Sequence, residues 1–246
     1  MKSVRLLLAS LCLLSIPSTG RALVGPSQDG GGLAAHTVML LKRSGKASGF
    51  CTGVVLTREI VLTAGHCAHG ASDLAVYLNE GGAPTVIPIN GSVIHPEFRA
   101  DAIKTRQRSI DLALVRLSKP LPASLSPARL SSRQSVSTGD TFRIAGFGLT
   151  REGDARSAGT LRSGTIAARA PLSSILLWAE DPRHGGFGAC TGDSGGPIFS
   201  EDGSEVVAVT VWSRGSGGKQ CGELTQGALV GPQRSWIDQA MTRLTR

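Results

Sequence analysis

The sequence predicts an all-β fold finished by a single helix, and three observations predict it. Short apolar, β-branched runs recur through the body of the chain, broken by Gly, Ser, Pro and Asn at hairpin spacing. No helical period separates these runs, so they read as a barrel or a sandwich rather than as parallel βαβ units. The period changes only at the end, where Trp236, Ile237, Ala240, Met241 and Leu244 fall at helical spacing within 233–244.

Taken in order, the chain opens with an export signature. Lys2 and Arg5 are basic, Leu6 to Ile16 is an apolar run too short to span a bilayer comfortably, and Pro17 to Ala22 is a small, polar exit. Leu11 stands where lipoprotein processing at Cys12 would want a small residue. The expectation is a signal peptide over 1–22 and a chain secreted to an extracellular or periplasmic space, with no membrane attachment once the signal is removed. Strands are expected at 38–42, 53–55, 60–63, 74–78 and 85–89, then at 112–117, 141–146, 159–167, 197–199 and 206–212. The Pro- and Ser-rich stretch 118–127 reads as a crossover between two halves. Gly30 to Gly32, 151–157 and 213–218 read as loops.

The formal charge of +8 drops by three when Lys2, Arg5 and Arg21 leave with the leader. The remaining basic residues are scattered, and six Phe, three Trp and one Tyr offer few rings for stacking bases, so no nucleic-acid partner is expected. Cys51, Cys67, Cys190 and Cys221 remain after processing. An even count in an exported chain reads as disulfides, with three connectivities open. The alternative, a zinc site from Cys51, Cys67, His69 and another ligand, fits no standard ligand spacing, and no metal is expected.

Three short segments carry the chemistry: Thr63-Ala64-Gly65-His66-Cys67, Asp111-Leu112-Ala113-Leu114 and Gly192-Asp193-Ser194-Gly195-Gly196-Pro197. A lone Ser among glycines is usually a turn, and a lone His or Asp is usually structural or solvated. All three in the order His, Asp, Ser meet the needs of one mechanism: a weak hydroxyl nucleophile, a base beside it and a carboxylate to orient the base. His36, His69, His95 and His184 lack such company and read as structural or exposed.

These motifs resemble those of the chymotrypsin/trypsin-like serine proteases, and the resemblance covers about 23–246. It implies two six-stranded antiparallel β-barrels packed face to face with a C-terminal α-helix: an N-terminal barrel over 23–122, a C-terminal barrel over 123–232 and the helix over 233–246. It implies a secreted serine endopeptidase acting on protein or peptide substrates through an acyl-enzyme, as a monomer and without a cofactor. Ser194 would be the nucleophile, His66 the general base and Asp111 its orienting partner. The N–H groups of Gly192 and Ser194 would form the oxyanion hole, and Asp193 would pair with a free ammonium on Leu23. The resemblance pairs Cys51 with Cys67 and Cys190 with Cys221. Gly146-Phe147-Gly148 resembles a glycine–aromatic–glycine turn of the family. The competing reading is a catalytically silent, protease-like binding protein.

Resemblance also locates a primary specificity pocket: Gly188 and Ala189 at its floor, Val211, Trp212 and Ser213 along one wall, and Gly227 on another. Gly188 supplies no carboxylate for Arg or Lys, so large apolar residues are the expected preference. A flexible loop could bring the Glu223 carboxylate near the pocket, and Val211 and Leu229 depart from the family's usual Ser and Tyr. Leu23-Val24-Gly25-Pro26 stands where the family's new N-terminus begins. Gly20 and Ala22 suit a signal peptidase, so one cut after Ala22 would remove the leader and expose Leu23 together. The rival is an earlier cut followed by activation at Arg21. Arg108, beside Lys104 and Arg106, and Arg214 would border the substrate cleft.

Overall fold

A computed structural model describes residues 23–246, apart from 26 and 81. The predicted leader lies outside the described residues. Among the described residues no helix is long and apolar enough to cross a membrane.

The first half closes into a six-stranded barrel. After β1 (Gln28–Asp29), which belongs to the second sheet, its strands are β2 (Thr37–Ser44), β3 (Ala47–Val55), β4 (Ile60–Thr63), β5 (Asp73–Glu80), β6 (Ala83–Ile94) and β7 (Ala113–Leu117). Neighbours run β2-β3-β4-β7-β6-β5, and β5 returns to β2. The inward face is built by alternation: Val38, Leu40, Val54, Ile60, Leu62 and Leu114 are all fully buried. One short helix, α1 (Gly65–Ala68), follows β4 directly, and a second, α2 (Ala102–Thr105), lies in the loop before β7.

The second half closes in the same way. β8 (Thr141–Gly146), β9 (Arg162–Ala168), β10 (Leu176–Glu180), β11 (Pro197–Ser200), β12 (Val206–Arg214) and β13 (Leu224–Leu229) form the ring β8-β9-β10-β13-β12-β11, and β1 adds to β9 at its side. Phe142, Ile144, Ile166, Leu177, Phe187 and Ile198 fill its interior together with Leu23, which is fully buried. Val24 bridges to Gly188. Gly25 makes that approach possible: at φ +97°, a β-carbon there would come within 2.8 Å of Phe187 Cα. The segment after the expected cleavage point is thus anchored beside Gly188.

The expected strands are all present. The sequence reading missed the two-residue β1 and, more importantly, β10 and β13, which stand side by side in the second barrel. The expected helix is α3 (Arg234–Leu244), which buries Ile237, Ala240 and Leu244 on one face. It packs against β6 and β7 of the first barrel. Removing such large side chains from water is worth about 1.5–3 kcal/mol each. His95, buried against Trp236 with ring centres 4.6 Å apart, accepts the Glu97 N–H and is a structural histidine. Disulfides join Cys51 to Cys67 and Cys190 to Cys221.

Candidate active site

The site is built where the two barrels meet. β4 ends at Thr63, and α1 begins two residues later, placing His66 in its single turn. Gly65 lets this turn come close to the next segment: a β-carbon there would lie 3.0 Å from both Asp111 Oδ1 and the Phe98 ring. Asp111 lies two residues before β7, the strand paired with β4, so strand pairing brings it beside His66. One carboxylate oxygen accepts the His66 backbone N–H at 2.8 Å, and the other meets ring Nδ1 at 2.7 Å. With the Nδ1 proton donated to Asp111, Nε2 keeps its lone pair for the cleft.

Ser194 comes from the second barrel, in the loop before β11. Its carbonyl accepts the Thr52 N–H at 2.8 Å, which docks the loop on β3. Gly195 follows in a slot against Thr63, Thr52 and Ala64, so the serine stands beside the turn that carries His66. From the other side, Thr210 grips the loop through Gly195 N–H at 2.7 Å and Gly196 C=O at 2.9 Å. Among the described residues His66 Nε2 makes no hydrogen bond to Ser194 Oγ. In resting sites this contact is often long and tightens with substrate.

Gly192 adopts φ +97° directly against the Phe50 ring, which leaves no room for a β-carbon. Thr52 Oγ1 donates to Gly192 C=O at 2.8 Å and accepts Phe147 N–H at 3.1 Å. Among the described residues no hydrogen bond takes up the N–H of Gly192 or Ser194, so both donors are free for an oxyanion. Asp193 is fully buried, and its oxygens accept N–H groups from Gly148 and Cys190, each at 2.8 Å. Burial pushes this carboxyl up to about 7 against those two bonds. The expected partner, Leu23, is buried in the same half of the molecule, but among the described residues Asp193 makes no ion pair.

Of the proposed pocket residues, Gly188, Ala189 and Ser213 meet at Thr225, while Gly227 lies further along β13 against Ile198 and Ala208. Ala189 N–H donates to Thr225 Oγ1 at 3.0 Å, and a β-carbon on Gly188 would lie 3.2 Å from that same oxygen. β12 pairs with β13 so that Trp212 faces Gln226, Ser213 faces Thr225, and Gly227 faces Thr210 around an irregularity that contains Val211. At Gly227 a β-carbon would come 2.7 Å from Ile198 Cδ1. Glu223 is exposed, as is Arg214. Arg108 is engaged with Glu97 at 3.4 Å in an exposed pair.

Several side chains of the site were missed in the sequence reading. Thr52, Phe50 and Thr225 are described above. Lys42 on β2 donates to His66 C=O at 2.6 Å and His69 C=O at 3.1 Å. Asp181, buried ahead of the pocket floor, accepts the N–H groups of Arg183, Gly185 and Phe187. Burial works to raise its pKa, but those bonds and Arg183 outweigh it and hold the carboxyl below its ordinary value. None of these residues lies in a recognisable motif; only the alternation that places Lys42 in line with Val38 and Leu40 was a usable signal. The Cys51, His66 and Cys67 ligand atoms lie within 4.8 Å of one another, but both sulfurs are spent in the disulfide and neither can bind an ion.

Comparison with known proteins agrees with this geometry. The trypsin family model matches residues 24–236. Trypsin iota of Drosophila melanogaster is 29% identical over 182 residues, 66% of this chain and 68% of that protein. Chymotrypsin of Phaedon cochleariae is 28% identical over 184 residues, 68% of this chain and 65% of that protein. In fold the chain is similar to the HL collagenase, with a TM-score of 0.70 at 18% identity over 90% of this chain and 99% of that one. Neuropsin, a serine protease expressed in mouse brain, superposes with a TM-score of 0.66 at 21% identity over 82% of this chain and 93% of that one. With the family model covering most of the chain and the two-barrel cleft in place, the chain belongs to the trypsin family of serine endopeptidases.

Proposed function

We propose that this chain is exported and cleaves proteins or peptides through an acyl-enzyme formed on Ser194. His66 Nε2 takes the hydroxyl proton as Ser194 attacks the scissile carbonyl, and then gives it to the departing amine. Asp111 holds the imidazole in the tautomer this requires and stabilises the imidazolium. The N–H groups of Gly192 and Ser194 stabilise the tetrahedral oxyanion; one such donor is worth about 2.7–4 kcal/mol. The observation that carries the reading is the double grip of Asp111 on His66, backbone and ring together, beside a serine fixed from both barrels.

The finer reading concerns specificity and maturation. Gly188, Ala189 and Gly227 bring no charge to the pocket, which favours large apolar residues over Arg or Lys, whose buried charge would go unpaired. Signal cleavage after Ala22 frees the Leu23 ammonium, which pairs with Asp193, and the mature enzyme acts as an exported monomer. Titration with a serine-reactive organophosphorus reagent tests the activity: one label per chain, lost in Ser194→Ala, is expected. A well-folded chain that takes no label and cleaves no peptide would establish the silent binding protein instead.

A further inference from the structure

Every polar atom of His66 except Nε2 is held. Asp111 takes its backbone N–H and its Nδ1–H. Its backbone carbonyl is held from the opposite side by Lys42 Nζ at 2.6 Å, and the same ammonium reaches His69 C=O at 3.1 Å. α1 is one turn of four residues, too short to be stable by its own hydrogen bonds, and its last carbonyls have no partner within the helix. We propose that Lys42 is a positioning residue for His66: its ammonium clamps the carbonyls of the imidazole-bearing turn and sets a fixed positive charge beneath the His66–Asp111 pair.

The placement follows from the strand. Val38, Leu40 and Lys42 share the inward face of β2, with the first two fully buried and Lys42 half-buried at the mouth of the first barrel. Burial disfavours its charged form and lowers its pKa, while the Asp111 carboxylate acts in the opposite direction. No carboxylate among the described residues pairs with it at salt-bridge distance, so its donors go to the turn. The surroundings add no competing charge. Gly49 of β3 and Leu74 of β5 stand opposite Lys42, the adjacent Arg43 is paired outward with Asp73 at 3.4 Å, and His69 packs on Phe98. The titratable groups facing Lys42 are therefore His66, His69 and Asp111.

This inference rests on His66 acting as the general base, so the variants are compared with wild type whose sites have been counted by organophosphorus labelling. Lys42→Met removes charge and donors, Lys42→Gln keeps a donor without the charge, and Lys42→Arg keeps both. In Lys42→Met, kcat per labelled site should fall about tenfold with KM little changed, because small misplacements of a catalytic group cost that much or more. Lys42→Gln should recover part of kcat, and Lys42→Arg should restore it. A kcat per labelled site as in wild type in Lys42→Met and Lys42→Gln would overturn the proposal while leaving the protease intact. Wild type that neither labels nor turns over would instead overturn the activity itself. If Lys42→Met does not fold, the comparison of Lys42→Gln with Lys42→Arg decides the question.

Discussion

Thr52 and Gly192, 140 residues apart in sequence, are joined by a buried hydrogen bond of 2.8 Å from the threonine hydroxyl to the glycine carbonyl. The same hydroxyl accepts the Phe147 N–H, so one side chain of the first barrel fixes two loops of the second. Thr52→Val keeps the shape and leaves the buried Gly192 C=O unpaired, at about 1–3 kcal/mol, and the half-buried Phe147 N–H without its partner. A lower midpoint of urea unfolding is expected, with most of the loss recovered in Thr52→Ser. Because the Gly192 peptide is then free to turn, kcat should fall more than KM rises.

A sharper test of the same loop is Gly192→Ala. The residue sits at φ +97° against the Phe50 ring, so a methyl group must displace either the ring or the peptide. Loss of one oxyanion donor is expected to lower kcat by about 10²–10³ with KM changed little. Steady-state kinetics on a short ester or amide substrate reads this directly. Gly192→Ala combined with Phe50→Ala relieves the clash but not the backbone conformation, so only partial recovery is expected.

The buried Asp193 makes stability depend on pH, and the sign follows from its direction of shift. While Ala22 is attached, the Leu23 nitrogen is an uncharged amide, and burial holds the carboxyl at about 7, well above its ordinary value. The folded chain therefore binds a proton that the unfolded chain has released. This contribution to stability is full below about pH 4 and is lost as pH rises through about 7. Urea midpoints of the Ser194→Ala precursor should fall between about pH 5 and pH 8. Asp193→Asn should flatten that part of the curve. In a chain that begins at Leu23 the new ammonium favours the carboxylate, and the decline should shrink or reverse.

Much of the molecule was legible in the sequence, and the failures have physical causes. The three motifs are local strings whose chemistry is visible in the residue types, and Val38 to Lys42 and Ile60 to Thr63 announce their strands as short apolar, β-branched runs. β10 and β13 were missed because their signals are weak. Leu176-Leu177-Trp178-Ala179-Glu180 has no clean alternation, and Gly227 interrupts Leu224–Leu229. Yet that glycine is needed in the strand, because Ile198 and Ala208 occupy the space a side chain would fill. Thr52, Lys42 and Thr225 were invisible for another reason. Each acts through one bond from a side chain to a distant backbone group, and a sequence does not reveal which backbone will be near.

The identity of the pocket floor can be tested by giving it the charge it lacks. Gly188→Asp would place a carboxylate where Ala189 is already tied to Thr225 Oγ1. The space is tight: the new β-carbon would meet Gly222 C and Thr225 Oγ1 at 3.2 Å and Gly222 Cα at 3.3 Å. Gly222 is backbone and yields little, so a loss of overall kcat/KM and a lower unfolding midpoint are expected. If Gly188 is the floor, the ratio of kcat/KM for Arg over Leu at the cleaved position should nevertheless rise by at least tenfold, about 1.4 kcal/mol of transition-state discrimination. That is a modest demand on a partly buried ion pair. The ratio is the informative quantity, because a merely distorted pocket lowers both substrates together. An unchanged ratio in a variant that still labels stoichiometrically would place the floor elsewhere, with exposed Glu223 as the next carboxylate to remove.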